Sequence, residues 1–450
     1  MSKLIRFLAI MLGALCAGLG GWVPAAVHYV APNGTATWAA SVNEATPCSG
    51  RIAAENAVAG DIVYYRGGTY VPAADGVYEW QVMSKWDSVA WNPQHSGTAD
   101  QPITFMAYPG ETPTFQTYTD GPVLGSARRD YIIWDGIQIT PSNSFHADIG
   151  IFYGADYCTV RNITVQGYPN CPTTDNGQIL FAKDITHLTI QNCHFYGQTG
   201  PAGALNAAAI KLYNTSSTLV ENCEIDNNYT GIDDKDGSTH NVYRYNYFHD
   251  QDGTSFALRT ESTGPEPLDC SIYNNIFVGG TYAIALSGDR PKHNIKIYNN
   301  TIYNPSQVGI YTNKTVENLQ VYNNIIYIAP RLLSYSIYSP LGSLPGLDTN
   351  NNCYYTTSPR WDYLNQQSYF SLAAWRSGSG CDAASLYTNP LLVNPGGTTV
   401  ADYKLQTSSP CRSGGRIGSA MGAYVTGNEV IGVHGQDAMP KPRNLRLLDQ

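Results

Sequence analysis

Apolar and polar residues alternate along this chain in short bursts. Seven segments share one form, "CTVRNITV", "LTIQNCHF", "TLVENCEI", "NVYRYNYF", "CSIYNNIF", "IKIYNNTIY" and "LQVYNNIIY": a few residues with every second one apolar, then an asparagine. The asparagines are Asn162, Asn192, Asn222, Asn246, Asn275, Asn300 and Asn324, with Asp135 of "IIWDGIQI" before them and Asn352 of "NNNCYY" after. Successive positions differ by 27, 30, 30, 24, 29, 25, 24 and 28 residues. Period-two strands recurring at irregular intervals of this size predict the coils of a parallel β-helix, and the excess of Val, Ile, Tyr and Asn excludes helical repeats. Each coil would pair its strand with the next, and the asparagines would stack as a hydrogen-bonded ladder at one corner. The expected fold is all-β: a single-domain, right-handed parallel β-helix.

A second strand recurs once per coil: "GIFYG", "QILFA", "AIKLY", "GIDDK", "SFALR", "AIALS" and "GIYTN". Aligned on their second residues (Ile151, Ile179, Ile210, Ile232, Phe256, Ile284, Ile310), they place apolar side chains inward there and mostly again at position four, as Tyr153, Phe181, Leu212, Leu258 and Leu286. Side chains alternate faces, so positions three and five point outward. Position three reads Lys211, Asp233, Ala257, Ala285, and position five reads Tyr213, Lys235, Arg259, Ser287, Asn313. Lys235 and Arg259, 259 − 235 = 24 residues apart, thus share a register on neighbouring strands. Strand spacing places them within about 4–8 Å of each other on one face, flanked by Lys211 and Asp233 and lining an open groove. Burial of either side chain would contradict that geometry. Asp233 and Asp234, being adjacent, go to opposite faces.

Composition narrows the function. The chain has 450 residues, only 14% of them charged, and a net charge of −9, so no general basic surface invites nucleic acid. Lys3, Arg6 and the apolar "FLAIMLGALCAGLGGW" before "VPA" read as a signal peptide over residues 1–25. The β-helix with its N-terminal cap then spans 26–425, and 426–450 is an irregular tail rich in proline and without the period. A secreted or periplasmic monomer is expected, with no membrane span after signal removal. Cys193 and Cys223 occupy equivalent repeat positions, Cys353 and Cys381 bracket a segment that a disulfide would close, and "DRPKH" at 289–293 reads as a solvated turn.

Around the cation pair, a lysine precedes a turn, "NVYRYNYF" follows with Asn241 and Asn246, and "GTSFALR" supplies Gly253, Thr254 and Arg259 one coil later. Over residues 205–262 this resembles the secreted β-helix polysaccharide lyases of family 6, the chondroitinase B and alginate lyase kind. The resemblance implies a pectate-lyase-like solenoid in which Lys235 and Arg259 are catalytic. It also brings in calcium, held in that family by acidic residues just before the lysine. Here Asn228, Thr230 and Asp233 occupy that stretch, so the candidate metal ligands reduce to Asn228 and Asp233.

The chemistry fits an anionic polysaccharide substrate of alginate, chondroitin/dermatan or pectate type. A uronan lyase takes the C5 proton of a hexuronate and expels the 4-linked sugar, which requires a neutralised carboxylate, a base and an acid. Lys235 is the candidate base, and Arg259 the carboxylate partner. Lys211 and Asp233 flank them, and Tyr213 and His249 are candidates for proton donation or sugar contact. Two other functions use the same fold: a glycoside hydrolase or uronate epimerase, and a non-catalytic glycan-binding surface protein.

Overall fold

The computed structural model describes residues 26–71, 89–116, 121–140, 147–169, 177–200, 206–329, 335–341, 343–356, 362–364 and 367–433. The signal segment 1–25 and residues 434–450 of the tail lie outside them, and residues 426–433 carry neither helix nor strand.

Among the described residues, nearly all strands fall into three long sheets, two of twelve strands and one of eleven. Each coil contributes one strand to each sheet in turn. Thr230–Lys235, Val242–Arg244 and Tyr247–His249 make one circuit, and Thr254–Thr260 begins the next. Neighbouring coils pair in parallel throughout the body, and one antiparallel pair, Asp362–Leu364 with Gln367–Tyr369, closes the edge of the eleven-stranded sheet. The fold is the expected single right-handed parallel β-helix. Its interior is a stack of Ile, Val, Leu, Phe and Cys side chains removed from water.

The asparagine series resolves into two adjacent columns. Asn162, Asn192 and Asn222 have φ between 53° and 56°, in the left-handed conformation that turns the chain from one sheet to the next. In later coils that place is taken by Tyr245, Asn274, Asn299, Asn323 and Asn351. Asn246, Asn275, Asn300, Asn324 and Asn352 sit one residue further on, fully buried. The amide Nδ2 of each of the first four donates to Oδ1 of the next at 3.0–3.1 Å. Cys193 and Cys223 hold the equivalent inner place in earlier coils. The expected single ladder therefore slips by one residue between Asn222 and Asn246. Asparagine serves both columns for different reasons: it tolerates positive φ at the corner, and its amide pairs with its own kind inside.

Both ends of the solenoid are covered. The helix Gly50–Asn56, capped by Ser49, buries Ala53 and Ala54 against the first coils. The helix Leu372–Ser379, capped by Ser371 and ended by the left-handed Gly380, seats Trp375 over the last. From there the chain turns back along the corner. Asn351 donates to Gly414 O, Asn323 to Ser419 Oγ, Asn299 to Ala420 O and Asn274 to Ala423 O, and Gly432 N donates to Tyr245 O. Residues 414–432 thus form a strap crossing five successive coils. Beneath it Tyr247, Ile276, Ile325 and Cys353 pack against Met421, Ala423, Tyr424 and Ile431.

Two details differ from the sequence reading. The Cys353 thiol neighbours Cys411, just before the strap, not Cys381, whose Sγ lies 3.9 Å from Leu347 O. Lys292 of "DRPKH" is fully buried rather than solvated, and that burial lowers its pKa to about 8.

Candidate active site

The eleven-stranded sheet carries the site. Thr230–Lys235 pairs with Ala207–Ser216 on one side and Thr254–Thr260 on the other, with Lys211 opposite Asp233, Tyr213 opposite Lys235, and Lys235 opposite Arg259. Alternation then sorts the side chains. Ile232 and Asp234 point inward between Ile210, Leu212, Phe256 and Leu258, while Asp233 and Lys235 point outward. The two earlier strands sit differently from the alignment by second residues. Leu180, not Ile179, pairs with Ile210, and Ile149, not Ile151, pairs with Leu180. Phe181 consequently faces outward opposite Lys211, and Lys183 joins the outward row opposite Tyr213. Two apolar residues in succession, Ile179 and Leu180, both enter the core there, so period-two counting had no way to choose between them.

Asp233 is the hub. Fully buried, it accepts from Arg259 Nε at 2.8 Å and Nη2 at 2.5 Å, a two-pronged contact that suits a planar guanidinium. Lys211 Nζ lies 3.9 Å from Asp233 Oδ2, the oxygen that accepts from Arg259 Nη2, and donates to Asn206 Oδ1 at 2.6 Å. The same Asn206 oxygen accepts from Arg259 Nη2 at 2.8 Å, so one amide ties the two cations together. Burial lowers the Lys211 pKa to about 8, against the opposing pull of Asp233. Burial also works against the charge of Arg259, but Asp233 more than offsets it, and its pKa is raised.

Lys235 stands beside this group. Its ammonium contacts the carboxylate of Glu261 and lies 5.6 Å from the centre of the Tyr213 ring, whose other side takes Lys183 at the same distance. The lysine holds the Glu261 carboxyl below its usual range. The expected open groove is not present at this point: the side chains of Lys235 and Lys211 are each 8% exposed and that of Arg259 17%. Glu261, which contacts Lys235, is itself 57% exposed at the rim.

Asp234, inside the solenoid, contacts Ser238 Oγ and Tyr243 Oη and accepts from Asn241 Nδ2 at 3.4 Å. Burial still pushes its carboxyl up to about 6.

Two candidate residues belong elsewhere. His249 lies on the strand Tyr247–His249 of another sheet, bonded to Glu224 and Asp250. A corner separates that strand from the sheet that carries the cations. Asn228 is fully buried in a turn, where Oδ1 accepts from Gln198 N at 2.9 Å and Nδ2 donates to Asp226 O at 2.7 Å. With that amide committed to backbone and both Asp233 oxygens on Arg259, these residues do not fit a calcium ion, which takes six to eight oxygen ligands. Asn206 and Glu261 had escaped the sequence reading. Glu261 follows Arg259 by two residues, so alternation would have found it had the strand been carried past Thr260. Asn206 precedes its strand and gives no such signal.

A family model described as "Right handed beta helix region" matches residues 132–326. No curated protein matches the chain in sequence. A pectate lyase, Pel9A, superposes with a TM-score of 0.55 at 14% identity, over 90% of this chain and 97% of its own. A family 6 polysaccharide lyase from Pseudopedobacter saltans gives 0.43 at 14% identity over 68% and 82%. A lacto-N-biosidase from Eubacterium ramulus gives 0.43 at 11% identity over 74% and 64%. At these identities the likeness concerns the fold. Among the described residues no helix is long and apolar enough to cross a membrane.

Proposed function

We propose that the protein is an exported lyase that cleaves a uronate-rich polysaccharide by β-elimination, with Lys235 as the base. One observation carries this reading: Lys211, Lys235 and Arg259 converge on the outer face of three adjacent strands around the buried Asp233. In the free protein those charges are largely matched, Arg259 and Lys211 by Asp233 and Lys235 by Glu261. Glu261 is the one exposed partner, so a substrate carboxylate displaces it, and Lys235, once it has released its own proton to solvent, takes the C5 proton as the neutral amine. Arg259, already oriented by Asp233, meets the uronate carboxylate with its remaining nitrogen, and Tyr213 protonates the leaving oxygen.

A second assignment within the same reaction is favoured by the lowered pKa of Lys211. There Lys211 is the base, and Lys235 holds the substrate carboxylate as it now holds Glu261. Hydrolysis is disfavoured: Asp233 is held by Arg259 and Asp234 faces inward, so among the described residues of this face Glu261 lacks the second free carboxyl that a hydrolase needs.

Incubation with alginate, chondroitin, dermatan and pectate, followed by ultraviolet absorbance of the unsaturated uronate, tests the reading. Release of that product from one of them is expected. If none yields it, the lyase reading gives way to a hydrolase or a glycan-binding solenoid. If Lys211→Ala abolishes turnover while Lys235→Ala mainly raises KM, the base is Lys211.

A further inference from the structure

On one of the twelve-stranded sheets, three adjacent strands, His194–Tyr196, Glu224–Asp226 and Tyr247–His249, bring two imidazoles and two carboxylates together. Their register puts His194 beside Glu224 and Asp226 beside His249. Ligand atoms of His194, Glu224 and Asp226 all lie within 4.8 Å of one another. His194 Nε2 is 2.6 Å from Asp226 Oδ1, and His249 Nε2 is 3.2 Å from Glu224 Oε1.

The geometry points to a binding site for a divalent transition metal ion of the zinc class, formed by His194, Glu224, Asp226 and His249. The donor set decides the class. Two imidazole nitrogens with two carboxylates suit zinc, cobalt or nickel, whereas calcium and magnesium favour oxygen alone.

The surroundings support the same reading. Asp250 Oδ2 lies 2.7 Å from His249 Nδ1, which fixes the ring so that Nε2 faces Glu224. Asn227 Nδ2 donates to Asp226 Oδ2 at 2.6 Å, leaving Oδ1 toward His194. Metal-bound histidines and carboxylates characteristically have such outer partners, which orient the donor atom. Tyr196 and Tyr247 pack against the two imidazoles with ring centres 4.7 and 4.4 Å away, limiting their rotation. A strand spacing of about 4.8 Å exceeds the separation of donors around one ion, so small rotamer changes close the set. An ion there takes the place of the protons now shared within each His–carboxylate pair, and it joins three coils.

Untagged protein, freed of metal by a chelator, is titrated with zinc in equilibrium dialysis and with cobalt in visible absorbance. One equivalent bound, a ligand-field band from cobalt and a rise in Tm of several degrees with zinc are expected. Calcium at the same concentration should leave Tm unchanged. His194→Gln and Asp226→Asn should each weaken zinc binding at least about tenfold, and His249→Gln less. Circular dichroism checks that the variants are folded. Failure of the wild-type protein to bind one equivalent, or equal binding by the His194→Gln variant, overturns the assignment. Stabilisation by calcium instead of zinc does so as well.

Discussion

Asp234 keeps its proton to a higher pH than an ordinary carboxylic acid because burial penalises its charge more than three hydrogen-bond donors reward it. The folded state therefore binds that proton more tightly than the unfolded chain. Its contribution to stability is complete below the ordinary value of 3.8 and is lost as pH rises through about 6, a loss of roughly 3 kcal/mol. Asp234→Asn should remove this component, so that urea midpoints of wild type and variant diverge in favour of the variant between about pH 4 and 7. Parallel midpoints across that range would show that the carboxyl is not the source. On the outer face, Lys235→Ala should lower turnover by about 10²-fold or more with folding intact, and Lys235→Arg nearly as much, since guanidinium does not give up its proton. Initial rates of unsaturated product decide this. Arg259→Ala acts first on stability: it strands the buried Asp233 with Lys211 alone, a loss of about 3–5 kcal/mol that a thermal melt reads directly.

At the level of the coil, the two asparagine columns should respond to substitution in opposite ways. Asn192 holds a left-handed corner, so Asn192→Gly should change the urea midpoint little. Asn275 has Nδ2 bonds to Tyr243 O, Tyr273 O and Asn300 Oδ1, and its oxygen accepts from Asn246. Asn275→Gly should therefore cost about 2–4 kcal/mol, buried polar groups being left without partners. Equal losses at both positions would merge the columns again. The sequence reading had the repeat, the strand faces and the Lys235–Arg259 register, because period-two alternation carries them directly. It missed the slip between Asn222 and Asn246, since asparagine suits both columns and a repeat of variable length absorbs one residue unnoticed. It misplaced Phe181 and concealed Lys183 for a related reason: where a strand bends into a corner, consecutive residues enter the core. Asn206 was illegible for another cause, because it precedes its strand, where pairing does not dictate direction, whereas Glu261 was within reach of alternation one residue past the end of its own.

Across the whole molecule, contacts between neighbouring coils would by themselves make stability a sum of local terms. The strap adds connections that skip along the axis, from Gly414 near the last coil to Gly432 at Tyr245. Removing residues 414–450 should therefore separate the single unfolding transition into broader steps, with hydrogen exchange at the corners from 245 to 351 accelerating most. A transition that stayed single and unshifted would mean that the strap merely rests on the corners. Its position after the coils in sequence also sets an order of events during synthesis. The five coils it crosses emerge first and wait with Tyr247, Ile276 and Ile325 uncovered, since the segment that closes them is made after them. During that interval the strap of another copy fits the same corner as well as the chain's own. Crowded nascent chains would then exchange straps and leave as interlocked pairs, so the yield of separate molecules depends on how far apart the chains are when their straps appear.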